Sequence, residues 1–557
     1  MKRNFAVKNL LTLFLAFSFI FPSLAAAQTA TRAKSPARKA AEAITAKQMS
    51  DYLYFIASDE MEGRDTPSRG LDTTAKFIGM NLARWGFKPA GDDGTFYQKI
   101  ALNIRRTDTE KTRLKIGEND LPYGRDFFSN AATANVAASP LVFAGSGWFI
   151  KQKNIDEYKD LDVKGKTVVI YADEKYPAGV TEEDLYGGKY GRVFMDWSEP
   201  INNARQKGAA GLIIIASPKT ERNWLIEKQT RERGVASVEK FSQLTISRSR
   251  NIPLMTISPQ AAENLFQNEG VSFADVQGMA KTGAALPKFT FKKTADYTVA
   301  DRIEKASTQN VVAVWEGSDA NLKQEMVAVG AHYDHVGMDL NSPRSDKIWN
   351  GADDDGSGTT AILSIAEALS KSAKRPKRSI LFVWHCGEEK GLWGSQYFTN
   401  FPTVDLKNVV AQLNIDMIGR TKKADDVNPK NKDLSGASEV YVIGSEMMSS
   451  KLGAEVKSVN DSYLKLNYNF RYDDTKDPNR FFFRSDHFNY AVKGIPISFW
   501  FDGVHEDYHQ PGDEPQKIDY NKMQMVARTI FLTMWEIADL KERPKVDRQL
   551  PPELMTR

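Results

Sequence analysis

The sequence predicts an α/β protein: a mostly parallel sheet flanked by helices, interrupted by an inserted β-rich domain. Three observations carry this. From about Gln309 onward, apolar runs of strand length alternate with amphipathic stretches at helical spacing. From about Asn135 to Pro287 the pattern changes to strand-like runs separated by turns, including 167–172, 212–216 and 254–257. Finally, 557 residues with 41% apolar and 26% charged content exceed what one hydrophobic core usually organises, so two or three domains are expected.

In chain order, Lys2, Arg3 and Lys8 precede an apolar run over 10–24 that ends in Ala25-Ala26-Ala27, the pattern of a signal peptide spanning 1–27. That run is short for a bilayer span and contains Pro22. The expectation is therefore an exported protein, periplasmic or extracellular, with no stable membrane span once the signal is removed. An Ala/Lys/Arg-rich linker follows over 28–43. Residues 44–134 open the main domain, with Ala75, Ile78, Leu82 and Trp85 at helical spacing and Gly86 as the stop. The insertion takes 135–290, and 291–557 is the rest of the main α/β domain. There, strands are expected over 326–330, 380–384, 409–415, 440–443 and 495–501. A helix follows Gly358, with Ile362, Ile365, Ala366 and Leu369 on one face. Another covers 521–540, with Met523, Ile530, Met534 and Ile537. These stripes read as core, and the polar stretch 421–438 as a surface loop.

Charge excludes some classes of function. Removing the signal takes Lys plus Arg from 75 to 72 against 71 acidic residues, so the basic balance is mostly the leader. Neither nucleic acid nor an anionic membrane surface is the expected partner, since both need a clustered basic footprint. The run 371–378 reads as a solvated loop. The single cysteine, Cys386, rules out an intrachain disulfide and follows a strand-like run as a small buried residue would.

All six histidines lie between positions 332 and 509. Acid or imidazole groups come just after expected strands: His332, Glu388 with Glu389, Asp416, and His509 a loop further on. In open α/β sheets ligands bind at those strand ends. In His332-Tyr333-Asp334 the carboxylate two residues on can reach the second imidazole nitrogen. The stretch Asn350-Gly351-Ala352-Asp353-Asp354-Asp355-Gly356-Ser357-Gly358 crowds three carboxylates ahead of a helix; a helix N-terminus needs only one, so a neutralising cation accounts for the cluster better. In Gly387-Glu388-Glu389 consecutive side chains diverge, so one can ligate a metal while its neighbour faces substrate. Asp416 ends an apolar run, where an unpaired carboxylate would be costly. Two imidazoles, three carboxylates and a spare glutamate form an oxygen and nitrogen set that suits zinc, and two ions if one carboxylate bridges.

These motifs, in this order and with His509-x-Pro511-x-Asp513, resemble the M28 family of zinc peptidases. The resemblance implies a zinc-exopeptidase-like fold and two Zn2+ ions. Asp354 would bridge them, with His332 and Asp416 completing one position and Glu389 and His509 the other. It implies Glu388 as general base and Asp334 as the support of His332. Asp486 and His487, from Ser485-Asp486-His487, would have a supporting role. Some members place a tyrosine near that element to stabilise the oxyanion; here Phe481, Phe482, Phe483 and Arg484 precede it, and no donor is assigned. Residues 163–169, 208–214 and 252–255 resemble a protease-associated domain, and Glu62-Gly63-Arg64 the opening of secreted M28 peptidases. The implied substrates are peptides trimmed from the N-terminal end. A carboxypeptidase, a one-zinc glutaminyl cyclase and a non-catalytic binding protein are alternatives on the same architecture.

Overall fold

Seven strands form the part of the sheet that carries the site: β1 (Asp301–Trp315), β2 (Met326–His332), β3 (Ser379–His385), β4 (Val409–Ile415), β5 (Glu439–Ile443), β6 (Asn467–Asn469) and β7 (Ile497–Phe501). The computed structural model describes residues 35–171, 176–186, 189–244, 252–342, 344–474, 476–548 and 550. The strand order is β1-β3-β2-β4-β7-β5-β6. The central four pair in parallel, for example Met326 with Ser379 and Gln412 with Ile497. β1 and β5 flank them antiparallel. β2, β3, β4 and β7 are buried at every position, as strands covered on both faces must be.

The helices that accompany them include α1 (Ala46–Ile56), α2 (Arg69–Arg84), α3 (Gly358–Ser370), α4 (Trp393–Asn400), α5 (Ser450–Ser462), α6 (His487–Val492) and α7 (Tyr520–Asp539). Thr45 and Gln48 close a capping box on α1. Ser68 caps α2, which ends before Gly86 in the left-handed region (φ 80°). α3 and α7 pack together and on β2, with α1 against both; α4 and α6 pack on each other, α4 against β3 and α6 against β4 and β7. The stripes Ile362, Ile365, Ala366 and Leu369 of α3 and Met523, Ile530, Met534 and Ile537 of α7 are fully buried, as expected.

The chain forms two compact units. The first comprises the described residues up to Gln98, then Gln309–Met338, and those from Asp346 onward. The second comprises Lys99–Thr308 with Asp339–Ser345. It holds an eight-stranded sheet in the order Asn119–Leu121, Arg113–Ile116, Lys288–Val299, Ala134–Ala144, Thr167–Tyr171, Gly211–Ile215, Leu254–Ile257 and Phe127–Ser129. The boundaries expected at 134/135 and 290/291 therefore move to 98/99 and 308/309. The short strands within 113–129, expected to belong to the main domain, edge this sheet, and strand Lys288–Val299 runs past the expected boundary. At the point of insertion Asn310 Nδ2 donates to Gln98 Oε1 at 2.8 Å, so the two ends of the interruption meet.

The linker expected over 28–43 is also corrected in its described part. Pro36–Ala41 is a short helix with Ala37, Ala40 and Ala41 buried, packed with α7. The signal peptide 1–27 lies outside the described residues. Among those described, no helix is long and apolar enough to cross a membrane. Cys386 is fully buried, as its sequence context suggested.

Because α3 carries its apolar face against the strand that ends in His332, Ile365→Ala is expected to cost about 2–5 kcal/mol. Urea unfolding should show a lower midpoint with an unchanged slope.

Candidate metal centre

Each parallel strand of the core delivers a polar residue at its C-terminal end. β2 ends in His332, whose carbonyl accepts from Thr359 Oγ1 of α3 at 2.6 Å. β3 leads through Gly387, in the left-handed region (φ 65°), to Glu388 and Glu389. β4 leads to Asp416, and the loop after β7 returns His509. Between β2 and α3, the turn Ala352–Ser357 presents Asp354.

These residues meet. His332 Nε2 lies 3.3 Å from Asp354 Oδ1 and 3.7 Å from Asp416 Oδ2. His509 Nε2 lies 3.1 Å from Asp354 Oδ2 and 3.1 Å from Glu389 Oε2. Asp354 thus turns one oxygen to each side. Glu388 Oε2 is 3.9 Å from His332 Nε2 and borders the pocket. A further imidazole that the motif reading left unused, His335, places Nδ1 2.8 Å from Glu389 Oε1 and 3.7 Å from Asp354 Oδ2.

The donors fit a metal better than they fit each other. His332 Nε2, His335 Nδ1, Asp354 Oδ2, Glu389 Oε1 and His509 Nε2 are buried with no partner in hydrogen-bonding geometry, a costly arrangement unless a cation sits among them. Among the described residues two groupings could each hold one ion: His332, Asp354 and Asp416; and His335, Asp354 and Glu389.

The surrounding residues fix this geometry. His332 Nδ1 faces the backbone carbonyl of Asp334 at 3.1 Å, while the Asp334 carboxylate stands 3.6 Å away and accepts from the Glu388 amide at 3.1 Å. The carboxylate expected to orient His332 is thus shared with the glutamate loop. The three adjacent aspartates separate by role. Asp353 Oδ1 accepts from the Gly419 amide at 2.7 Å, and its Oδ2 lies 3.2 Å from His505 Nε2. Asp355 accepts from the amides of His332, Gly358 and Met417. Asp513 accepts from the amides of Asp353 and Asp354 at 3.0–3.1 Å, holding Asp354 from behind. Arg64 is fully buried. It donates to the carbonyls of Ile56, Tyr333, Asn350 and Gly351 at 2.7–2.9 Å, tying the N-terminal segment to both ligand-bearing turns.

Electrostatics follow from this crowding. Burial would lower the pKa of His332, but Glu388, Asp416, Asp334 and Asp354 raise it well above the usual imidazole range. Burial would also lower that of His509, yet Asp354 and Glu389 push it up to about 10. Each imidazole therefore holds a proton that a metal ion would displace. Burial holds Glu388 well above the usual carboxylate range, helped by Glu389, Asp416 and Asp486 against the opposing pull of His332. His385 and His487 are pushed down to about 3 by burial and stay neutral. His487 Nε2 lies 2.8 Å from the Phe482 carbonyl and its ring stacks on Phe499, so it supports the pocket wall rather than the ligands. Asp486 is fully buried, and burial raises it to about 7.

Besides Asp354, Glu388 and Asp416, the pocket is lined by Met417, Phe481, Phe499, Phe501 and Val504, with Ser485, Arg484 and Tyr508. Arg484 Nη2 lies 3.4 Å from the Tyr508 hydroxyl, and Tyr508 stacks on His509 with ring centroids 3.9 Å apart. Tyr508 and His335 are the residues that motif reading passed over; the first adjoins an expected ligand and the second sits three positions after one. Arg64 stands out within Glu62-Gly63-Arg64, but nothing in the sequence marks its reach to the carbonyls of Tyr333, Asn350 and Gly351.

Residues 310–534 match the sequence profile of Peptidase family M28. A probable leucine aminopeptidase of Arthroderma benhamiae is 28% identical over 223 residues, 39% of this chain and 55% of that protein. The leupeptin-inactivating enzyme 1 of Streptomyces exfoliatus is 27% identical over 215 residues, 38% of this chain and 39% of that protein. The chain thus spans about half or less of the length of these curated relatives. A zinc aminopeptidase from Bacillus subtilis superposes with a TM-score of 0.50 at 18% identity, covering 88% of this chain and 95% of that one, a likeness of fold. Every candidate ligand lies inside the M28 segment; Arg64 and α1 lie outside it.

Two outcomes follow. Arg64→Met would leave four buried carbonyls without their donor, with an expected loss of at least ~3 kcal/mol in urea unfolding and partial recovery in Arg64→Lys. For Asp486 the folded pKa, about 7, exceeds the ordinary 3.8 of the unfolded chain. Between those values the folded state holds a proton that the unfolded state has lost, so stability falls as pH rises through about 4 to 7. In metal-free protein, Asp486→Asn should flatten that fall, read as Tm against pH.

Proposed function

We propose that this chain is a two-zinc exopeptidase that removes apolar residues from the N-terminal ends of peptides. The observation that carries the reading is the convergence of His332, Asp354, Asp416, Glu389 and His509 at the strand ends, with Glu388 beside them and unneeded as a ligand. Two zinc ions held by these groups would polarise a peptide carbonyl and lower the pKa of water.

The chain's own residues supply the rest. Glu388, which borders the pocket beside the ligands, accepts the proton of the attacking water and returns it to the leaving amine. Burial, together with the nearby Asp354, keeps Tyr508 well above its ordinary range, so its hydroxyl remains a donor at neutral pH and can bond to the oxyanion as it develops. Met417, Phe481, Phe499, Phe501 and Val504 give the pocket a wall that suits an apolar terminal side chain. The same reading takes residues 1–27 as an export signal, the protein as periplasmic or extracellular, and the inserted unit as a protease-associated domain.

The test is hydrolysis of aminoacyl-anilides by the mature protein, before and after chelation and zinc restoration. Leucyl and phenylalanyl substrates should exceed glutamyl and lysyl ones. Glu388→Gln should lower kcat by about 10²–10⁴-fold with zinc content unchanged. Activity that survives complete zinc removal, or cyclisation of N-terminal glutamine in place of hydrolysis, overturns the reading.

A further inference from the structure

We propose that His335 is a fourth protein ligand of the Glu389 and His509 metal position, so that one position of the pair is closed by protein donors and the other is open. The inference rests on the two-zinc reading above and deepens it.

Four groups surround the second position: His335 Nδ1, His509 Nε2, Glu389 and Asp354. His335 Nδ1 lies 2.8 Å from Glu389 Oε1 and 3.7 Å from Asp354 Oδ2, a compact group of three, while His509 Nε2 lies 3.1 Å from Asp354 Oδ2 and 3.1 Å from the other Glu389 oxygen, Oε2. Zinc bonds of about 2.0–2.1 Å to nitrogen and oxygen place the corners of a tetrahedron about 3.3 Å apart. The four imidazole–carboxylate separations lie within about half an ångström of that edge, with Glu389 turning one oxygen to each imidazole. Two imidazoles and two carboxylates complete a four-coordinate shell.

The ordinary account of a buried histidine is a neutral ring satisfied by a carbonyl or hydroxyl. His487, beside the Phe482 carbonyl, and His385, beside the Tyr490 hydroxyl, behave that way. His335 does not: it is fully buried, no carbonyl or hydroxyl meets its ring in hydrogen-bonding geometry, and Nδ1 faces Glu389 Oε1 at 2.8 Å. Its place is enforced by the backbone. Its amide donates to the Arg64 carbonyl at 3.2 Å. Gly351 takes φ 57°, and a Cβ there would stand 2.5 Å from His335 Cγ. No side chain other than hydrogen at 351 leaves room for the ring.

The first position differs. His332, Asp416 and Asp354 Oδ1 supply three donors, and the remaining side faces Glu388 and the pocket. Closed four-ligand sites retain zinc, whereas three-ligand sites keep room for an outside ligand. The pair should therefore load in order, tightly at the His335 position and exchangeably at the His332 position.

The experiment is zinc titration of metal-stripped protein against a chromophoric chelator, with zinc per chain measured after graded dialysis, for wild type, His335→Ala and, as a buried-histidine control, His385→Gln. Wild type should bind two ions in two steps. His335→Ala should weaken the tight step at least tenfold and leave the other within about twofold, while the control keeps both. X-ray absorption of wild-type protein holding one zinc equivalent needs no variant: two imidazoles per zinc support the inference, and one overturns it. Two steps with unaltered affinities in folded His335→Ala would also overturn it while leaving the two-zinc reading intact. Wild type that binds no zinc would remove both.

Discussion

Burying carboxylates at the ends of parallel strands is the constraint on which the rest of the site depends. Asp334, Asp353, Asp354, Asp355, Glu389, Asp416, Asp486 and Asp513 are all nearly or fully desolvated around one crevice, a concentration of negative charge that no hydrophobic gain could tolerate by itself. The fold answers in three ways. Backbone amides at the starts of loops and helices point into Asp355, Asp353 and Asp513. Imidazoles face Asp354, Glu389 and Asp353. Arg64 supplies a positive charge from a distance while spending its hydrogen bonds on carbonyls. What remains uncompensated lies around His332, Asp354 and Asp416 and around His335, Asp354 and Glu389, where bound metal would neutralise it.

The same constraint explains why so much of the centre could be read from sequence. A carboxylate at the end of an apolar run, as at Asp416, has few innocent explanations, and neither do three aspartates between glycines. The strands behind them were legible because full burial on both faces leaves continuous apolar runs. Chain-local patterns carried the order of the elements and the five expected ligands into one crevice.

What was not legible depends on contacts between distant parts of the chain. Arg64 acts across 269 to 287 residues through carbonyl groups, which carry no side-chain signature. His335 follows His332 so closely that it looks like a neighbour of a ligand, and only the turn that swings it toward Glu389 gives it another identity. Asp334 was assigned to the nearer imidazole, whereas its carboxylate also serves the Glu388 amide. The limits of the inserted unit moved for a related reason: strands of three or four residues at a sheet edge bury too little to leave a periodic trace, and the sheet they join is completed by chain that arrives much later.

The hydrogen bond between Gln98 and Asn310 bears on how such a chain can come to be assembled. Because departure and return points are adjacent, the interrupted unit sees the intervening 99–308 stretch as a loop closed at its base. The entropic cost of such a loop grows only with the logarithm of its length, about 0.6 kcal/mol per doubling. From a few residues to the whole 99–308 stretch is about six doublings, roughly 4 kcal/mol, a cost that a unit with its own packed core can offset. The joint is a place where a lineage can gain, exchange or shed an entire module while the crevice between the strand ends stays as it is.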